Sequence, residues 1–429
     1  MKKDFSQRFQ QGLFFLLLFL LPVQLGKHWW PQWSLVNGIR VDYLAPTIYL
    51  TDILAGFLIG SKIIEKLKKR QSFQLLKQRK WIWAIALLWL LQLFLVKAPW
   101  PHFYSLIKLL ELGGLFWVLK QVSVSQQRQY WVTVIMLSGV CLLSLIQFSI
   151  QSSLGGWAYF LGERNFSKIT PNIATSIIRG RVVLRPYASF SHPNSLAGFI
   201  MIGGWWLFFI WQDLIKRKIK PEWQTLTKTS FLIVACLIFL TLLTTWSRTA
   251  WVVGILAFVL WLNKLHSKRW LSIGVLSLGF LTPFLLYPLG YFLKTSFFQE
   301  SLILRKQLLE IGWQLFIKQP LLGVGLKNFI PYLVEHRLAL ARAWLQPIHN
   351  IFWLTLVESG LIGGIIVGGI FYKTLQKTIQ QKQAVLWLII TMIIFLGSND
   401  HYWFTLQQNQ LLLVFILASV WQKGEFYGK

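Results

Sequence analysis

The sequence predicts an all-α polytopic membrane protein, with about 12 transmembrane helices and a long outer helical segment between the ninth and tenth. Three observations predict it. First, 55% of the 429 residues are hydrophobic and 13% charged, and mean hydropathy is +0.54, far more apolar than a soluble domain. Second, apolar runs near the ~20 residues a spanning helix needs recur from Leu13 to Val420. Third, Lys and Arg concentrate in alternate connections.

The expected spans are 11–26, 44–60, 81–96, 102–119, 130–150, 195–211, 229–246, 250–263, 270–288, 351–372, 384–398 and 404–420. Lys2, Lys3 and Arg8 precede the first apolar run. No small-residue cleavage site follows it, so the first span reads as an uncleaved helix. Basic residues cluster in 1–10, 61–80, 120–129, 212–228, 263–269, 373–383 and 421–429. The short intervening loops hold only Lys27, Arg40, Lys97 and Arg248. This is the positive-inside bias, and it puts both termini in the cytoplasm.

A formal charge of +29 would suit a nucleic-acid binder, but such proteins place their charge on a solvated face and are not built from apolar 20-mers. No nucleic-acid partner is expected. Cys141 and Cys236 both fall inside spans, which excludes a disulfide framework or a cysteine metal site.

Two outer segments, 151–194 and 289–350, break the charge bias. The first carries Arg164, Lys168, Arg179, Arg181 and Arg185; the second includes Arg305, Lys306, Lys318 and Lys327. Cations gathered there suit an anionic head group. Within the second, 301–318 has apolar residues at mixed three and four spacings, the pattern of an amphipathic helix on a membrane surface. Pro320 and Gly323-Val324-Gly325 should end it, and a further helix is expected from Pro331 to about Leu345. No repeat of 20–50 residues is present.

Four constellations could carry chemistry. Leu184 to Asn194 opens into the sixth span, and Arg185 there fits two roles, pairing with phosphate oxygens or snorkelling to head groups. Asn194 and Ser195 read best as helix caps. Ser247-Arg248 sits in a hairpin between apolar runs, either as a functional cation or as an interfacial anchor beside Trp246. His349-Asn350 precedes the tenth span, which carries Gly360 and Gly363. An imidazole there can take a proton from a sugar hydroxyl, though a lone histidine is commonly structural, and the glycines allow close approach of a neighbour. Asp400-His401-Tyr402 ends the eleventh span and either shapes the same cavity or is a polar helix terminus. Asp52, inside the second span, reads as a buried carboxylate with a polar partner across the bundle. Phosphate-binding Gly-rich loops, His-Glu-x-x-His and paired outer carboxylates are absent from the sequence, so neither a cofactor nor a metal is expected.

In this order and topology the motifs resemble the O-antigen ligase / O-antigen polymerase superfamily of bacterial envelope glycosyltransferases. The resemblance covers about 180–365 of this single membrane domain, 1–429, including its outer segment 289–350. It rests on Arg185 with Pro193-Asn194, Ser247-Arg248, Arg305 with Pro320 to Gly325, and His349-Asn350 with Gly360 and Gly363. Ala188, where relatives often carry glycine, departs from the pattern.

The resemblance implies a metal-independent, inverting glycosyltransferase of the GT-C type in the bacterial cytoplasmic membrane, acting on its outer face. The donor would be a glycan on a polyprenyl (undecaprenyl) diphosphate. The acceptor would be a sugar hydroxyl on lipid A core, in lipopolysaccharide biosynthesis, or on another polysaccharide chain. Arg185 and Arg248 would hold the diphosphate, with Arg305 a third candidate. His349 would orient or deprotonate the acceptor, supported by Asn194, Asn350 and His401. Ligase and polymerase readings both fit. A transporter of lipid-linked glycan is the rival class, and the inverted repeats common in that class are not evident.

Overall fold

Backbone groups find no water in a bilayer, so apolar runs must satisfy their own N–H and C=O groups by forming helices. The computed structural model describes residues 2–70, 80–216, 221–263, 269–292, 296–335 and 345–422, and every expected span overlaps a helix. In chain order these are α1 (Lys2–Phe19), α2 (Leu50–Lys68), α3 (Lys80–Leu91), α4 (Pro99–Leu119), α5 (Gln126–Ile150), α6 (Pro193–Lys216), α7 (Pro221–Thr245), α8 (Arg248–Leu262) and α9 (Arg269–Phe292). After α10 (Ser296–Lys318) and α11 (Phe329–Glu335) come α12 (Ile351–Gln380), α13 (Ala384–Gly397), the single turn α14 (Tyr402–Thr405) and α15 (Gln407–Trp421). Among the described residues, α4, α5, α6, α7 and α12 are long and apolar enough to cross a membrane alone, and α3, α8, α9 and α13 contain shorter apolar helices. The chain is a multi-pass helical membrane protein.

The first two spans are displaced from their expected ends. Pro22, Gly26, Pro31 and Pro46 disfavour helix, and residues 20–49 instead form two antiparallel pairs. These are β1 (Gly26–His28) with β4 (Thr47–Tyr49), and β2 (Leu35–Val36) with β3 (Ile39–Arg40). The Asp52 carboxylate accepts the Tyr49 N–H at 3.0 Å, so α2 starts at Leu50. Asp52 also has its partner across the bundle: Lys108 Nζ on α4 lies 2.7 Å away, and Gln407 on α15 donates to it. A third pair, β5 (Thr175–Ile178) with β6 (Arg181–Leu184), occupies the segment before α6. Arg179 (φ 49°) and Gly180 (φ 76°) form its turn, the positive-φ pair a tight hairpin requires.

The centre of the bundle is α13, buried along nearly all its length and packed against α6, α8, α9 and α12. The connections at one end of the bundle are tied to one another. Gln24 Nε2 donates to Ser191 Oγ at 2.9 Å, Gln92 Nε2 to the Leu322 carbonyl at 3.0 Å and Asn350 Nδ2 to the Ser398 carbonyl at 3.0 Å. A second apolar core lies at this end, where Leu308, Ile311 and Leu315 of α10 meet Val324, Phe329, Leu333, Trp353 and Val357. The opposite face of α10 exposes Ile303 and Trp313, so this helix is amphipathic. Of the helix expected from Pro331 to Leu345, α11 covers the start, and 336–344 lie outside the described residues.

The glycine motifs build one feature, a broken helix. Gly360 at φ 63° and ψ −166° interrupts α12, freeing backbone groups on both sides of the break. The loop 320–325 takes them up. Val324 N–H donates to the Val357 carbonyl and Gly325 N–H to that of Glu358, both at 2.9 Å, while Leu361 N–H donates to the Pro320 carbonyl at 2.8 Å. Irregular backbone at such a position needs partners from the protein itself. A Cβ on Gly323 would stand 2.6 Å from the Glu358 carbonyl carbon. The neighbour that these glycines admit is therefore this loop. The Glu358 carboxylate closes it, accepting from Tyr43 Oη at 3.0 Å and from the Phe329 N–H at 3.3 Å.

Candidate functional site

The β5–β6 hairpin delivers Arg185 to the tied end of the bundle. Gln151 Oε1 accepts the Leu184 N–H at 2.9 Å, and Gln147 Oε1 accepts the N–H groups of Tyr187 and Ala188 at 3.0 and 2.6 Å. Gln147 is itself held by the buried Glu163, to which its Nε2 donates at 2.6 Å. So anchored, Arg185 donates through Nε to the Thr245 carbonyl at 2.6 Å and through a terminal nitrogen to Asn194 Oδ1 at 2.7 Å.

The departure at Ala188 becomes intelligible here: its φ is 49°, the left-handed conformation in which glycine carries no penalty. Ala188→Gly is expected to stabilise the protein by roughly 0.5–1 kcal/mol, the relief of left-handed strain exceeding the added freedom of the unfolded chain. A higher thermal midpoint at unchanged activity would show it, and a lower midpoint would count against the strained turn.

Asn194 and Ser195 do not serve as the expected caps. Asn194 bridges Arg185 to α13's end, donating from Nδ2 to Asp400 at 3.3 Å, while Ser195 Oγ donates to Asn409 on α15 at 2.6 Å. The ring that accepts the free N–H of Asn194 is His192, through Nδ1 at 3.1 Å. Asn350, in contrast, is a cap and a clip. Its Oδ1 accepts from Phe352 and Trp353, and its Nδ2 donates to the carbonyls of Gly279 and Ser398. These four bonds use its side-chain capacity, so its place is structural support directly behind His349.

His349 and His401 stand edge to face with ring centroids 5.1 Å apart. Ligand atoms of His349, Asp400 and His401 all lie within 4.8 Å of one another. His349 Nδ1 is buried and without a hydrogen-bond partner among the described residues, whereas His401 Nδ1 meets Thr405 Oγ1 at 2.7 Å. Arg305, from α10, donates to the Asn399 carbonyl at 3.2 Å. Arg248, the first residue of α8, is exposed, and its charge reaches Arg185.

The electrostatics couple these groups into one cluster. Burial, reinforced by the Arg305 charge, holds the His349 imidazole well below its ordinary 6.5, with Asp400 opposing. Burial lowers His401, and His192 carries the nearby Arg185 charge, which lowers it. Burial alone would raise Asp400, but the imidazoles of His401 and His349 and the Arg305 guanidinium more than offset it and hold it below the usual carboxylate range. Arg185 falls to about 10 through burial, with the Arg248 charge adding to the effect, and stays protonated at neutral pH. The guanidinium groups of Arg185, Arg248 and Arg305 thus stand about one carboxylate, Asp400.

Arg185, Arg248, Arg305, His349, Asn194 and His401 are therefore brought together, and Asn350 stands behind them. His192 and Asp400 complete the cluster. The sequence marked Asp400 as either part of the same cavity or a polar helix end, and His192 only as part of the Arg185 segment, because nothing in the linear order says which loops meet.

The described residues thus form a multi-pass helical membrane protein that gathers arginines and imidazoles at one end of its bundle. Residues 232–368 match the family model described as O-antigen ligase. A general O-oligosaccharyltransferase of Acinetobacter baylyi is 28% identical over 203 residues, 42% of this chain and 34% of that protein. The chain thus aligns with about a third of the length of this curated relative. The family match contains Arg248, Arg305, His349 and Asn350, and leaves out Arg185, Asn194 and His401.

Proposed function

We propose that the protein transfers a glycan from a polyprenyl diphosphate, undecaprenyl diphosphate in bacteria, to a sugar hydroxyl on the outer face of the cytoplasmic membrane, with both termini cytoplasmic. The observation that carries this reading is the arginine cluster at one end of an apolar groove. That groove, about 730 Å³, runs between α6, α7 and α8 and is lined by Met201, Phe208, Ile238, Leu242, Trp251 and Trp261 among others. Exposed Phe239, Ile255 and Phe258 form its open side, so a lipid chain can enter from the membrane. Its upper end, at Leu242 and Trp251, is one turn from Thr245 and Arg248. A lipid diphosphate has this order of chemistry, an apolar chain below a compact anion.

In the reaction His349 takes the proton of the acceptor hydroxyl, and the oxygen attacks the anomeric carbon of the donor. The bond from that carbon to the diphosphate oxygen breaks, and the diphosphate leaves with the electron pair. Arg185 and Arg248, with Arg305 beside them, stabilise the charge that develops, so the chemistry needs no metal. Attack opposite the leaving group inverts the anomeric centre. Asp400 balances the imidazolium formed on His349. The name of the relative supports a hydroxyl oxygen as acceptor, and the description of the matching family model supports the ligase form.

Purified protein in vesicles, given lipid-linked glycan and a lipid A core acceptor, is expected to form a new glycosidic bond, read by mass spectrometry, and chelation by EDTA is expected not to slow it. Glycan moved across the vesicle without a new bond would replace this reading with transport, and extension of the donor glycan alone would replace it with polymerisation.

The pH dependence follows from His349. The neutral ring is the active form and its pKa in the protein is depressed, so protonation and loss of activity require a pH below 6.5. The acid limb of kcat/KM is expected to fall below that value, and a half-maximum at or above it would contradict the assignment.

A further inference from the structure

We propose that His349, Asp400 and His401 form a binding site for a divalent transition-metal ion, of the kind zinc and cobalt prefer, and that the bound ion inhibits the protein. The three residues come from the segment before α12 and the end of α13, and their ligand atoms all lie within 4.8 Å of one another. Two imidazole nitrogens and one carboxylate match the donors that borderline metals select, whereas magnesium and calcium favour oxygen alone. Around a bound zinc ion, ligand atoms stand about 3.3 Å apart, from bonds of about 2.0 Å, so small side-chain rotations close the site.

His349 Nδ1 is buried with no hydrogen-bond partner among the described residues. A buried unpaired nitrogen is costly and is commonly explained by a water or an ion. The other two donors are already oriented. His401 is fixed by Thr405 through Nδ1, and Asp400 accepts from Asn194 Nδ2 and from the His401 N–H. Such outer hydrogen bonds are the usual support of metal ligands. All three residues are half-buried, which leaves a path for an ion and an open fourth position. The Asp400 charge offsets the nearby Arg305 guanidinium.

Metal binding and transfer then compete for the same atoms. A ligated His349 has no lone pair free for the acceptor proton, and the ion stands where the acceptor hydroxyl must approach. The inhibition, though not the binding, rests on the function proposed above.

The test uses full-length protein in detergent, stripped with EDTA and titrated with Co²⁺, read by its visible absorption, and with Zn²⁺ by calorimetry. One equivalent is expected to bind, Mg²⁺ is expected not to compete, and His401→Ala and Asp400→Asn are each expected to weaken binding at least about tenfold. Absence of a saturable cobalt signal in the unaltered protein would overturn the proposal. Equal affinity in both variants, each with an unchanged thermal midpoint, would overturn it too. In the transfer assay Zn²⁺ is expected to inhibit over the same concentration range and EDTA to reverse it. Binding by a protein that transfers nothing would uphold the site while the proposed function failed. Full transfer with the metal bound would overturn the inhibitory role.

Discussion

Arg185→Ala is expected to reduce glycan transfer by about 100- to 1,000-fold, the scale of losing one preorganised donor at a developing anion. Arg185→Lys is expected to recover little of it. The guanidinium uses one nitrogen on the Thr245 carbonyl and another on Asn194, and its fork carries further N–H groups. An ammonium is a single point of charge and cannot hold both anchors while presenting a donor to phosphate. His349→Ala should cause a loss of the same order by a different route, removing the base while leaving the anion site. Lipid diphosphate binding separates the two: weakened in the arginine variants and retained in His349→Ala. Activity above a tenth of the unaltered value in Arg185→Ala, in protein that inserts normally, would remove Arg185 from the diphosphate site.

Gly360→Ala is expected to prevent accumulation of folded protein. The backbone there occupies a region almost confined to glycine, worth about 1–3 kcal/mol for any other residue. A Cβ would also stand 2.2 Å from the Leu321 carbonyl oxygen, a backbone atom that cannot step aside without undoing the bonds that stitch loop 320–325 into α12. Losing two or three of those adds about 1 kcal/mol each, and more where the groups stay buried. The sum approaches the whole stability of many proteins, about 5–15 kcal/mol. Gly368→Ala on the same helix is the control. A Cβ there meets nothing within 4 Å, and alanine is the better helix former. Equal yields and midpoints for the two variants would mean that the break is not a fixed part of the fold.

The helical architecture was legible in the sequence because an apolar run of spanning length in a bilayer has few alternatives to a helix. Helix ends were less legible. Between α1 and α2 the prolines and Gly26 break an apolar stretch, so residues 20–25 and 44–49 look like span and fold as turns and strand. The arginines and His349 stood out because charge is rare in such a chain, and rarity needs no knowledge of the fold. Glu358 gave no such signal. One carboxylate inside a span says nothing about Tyr43 or about the loop it closes.

The sequence by itself determined the class of protein, the helices and the inventory of groups able to meet an anionic lipid. It could not determine which of two like residues bridges the arginine cluster and which holds backbone. Asn194 and Asn350 are the same amide beside the same motifs, yet the first joins Arg185 to Asp400 and the second spends every bond on backbone. Only the tertiary structure decided between them, because hydrogen bonding depends on partners within about 3 Å, and those partners include chain segments as far off as Asp400 from Asn194 and Gly279 from Asn350.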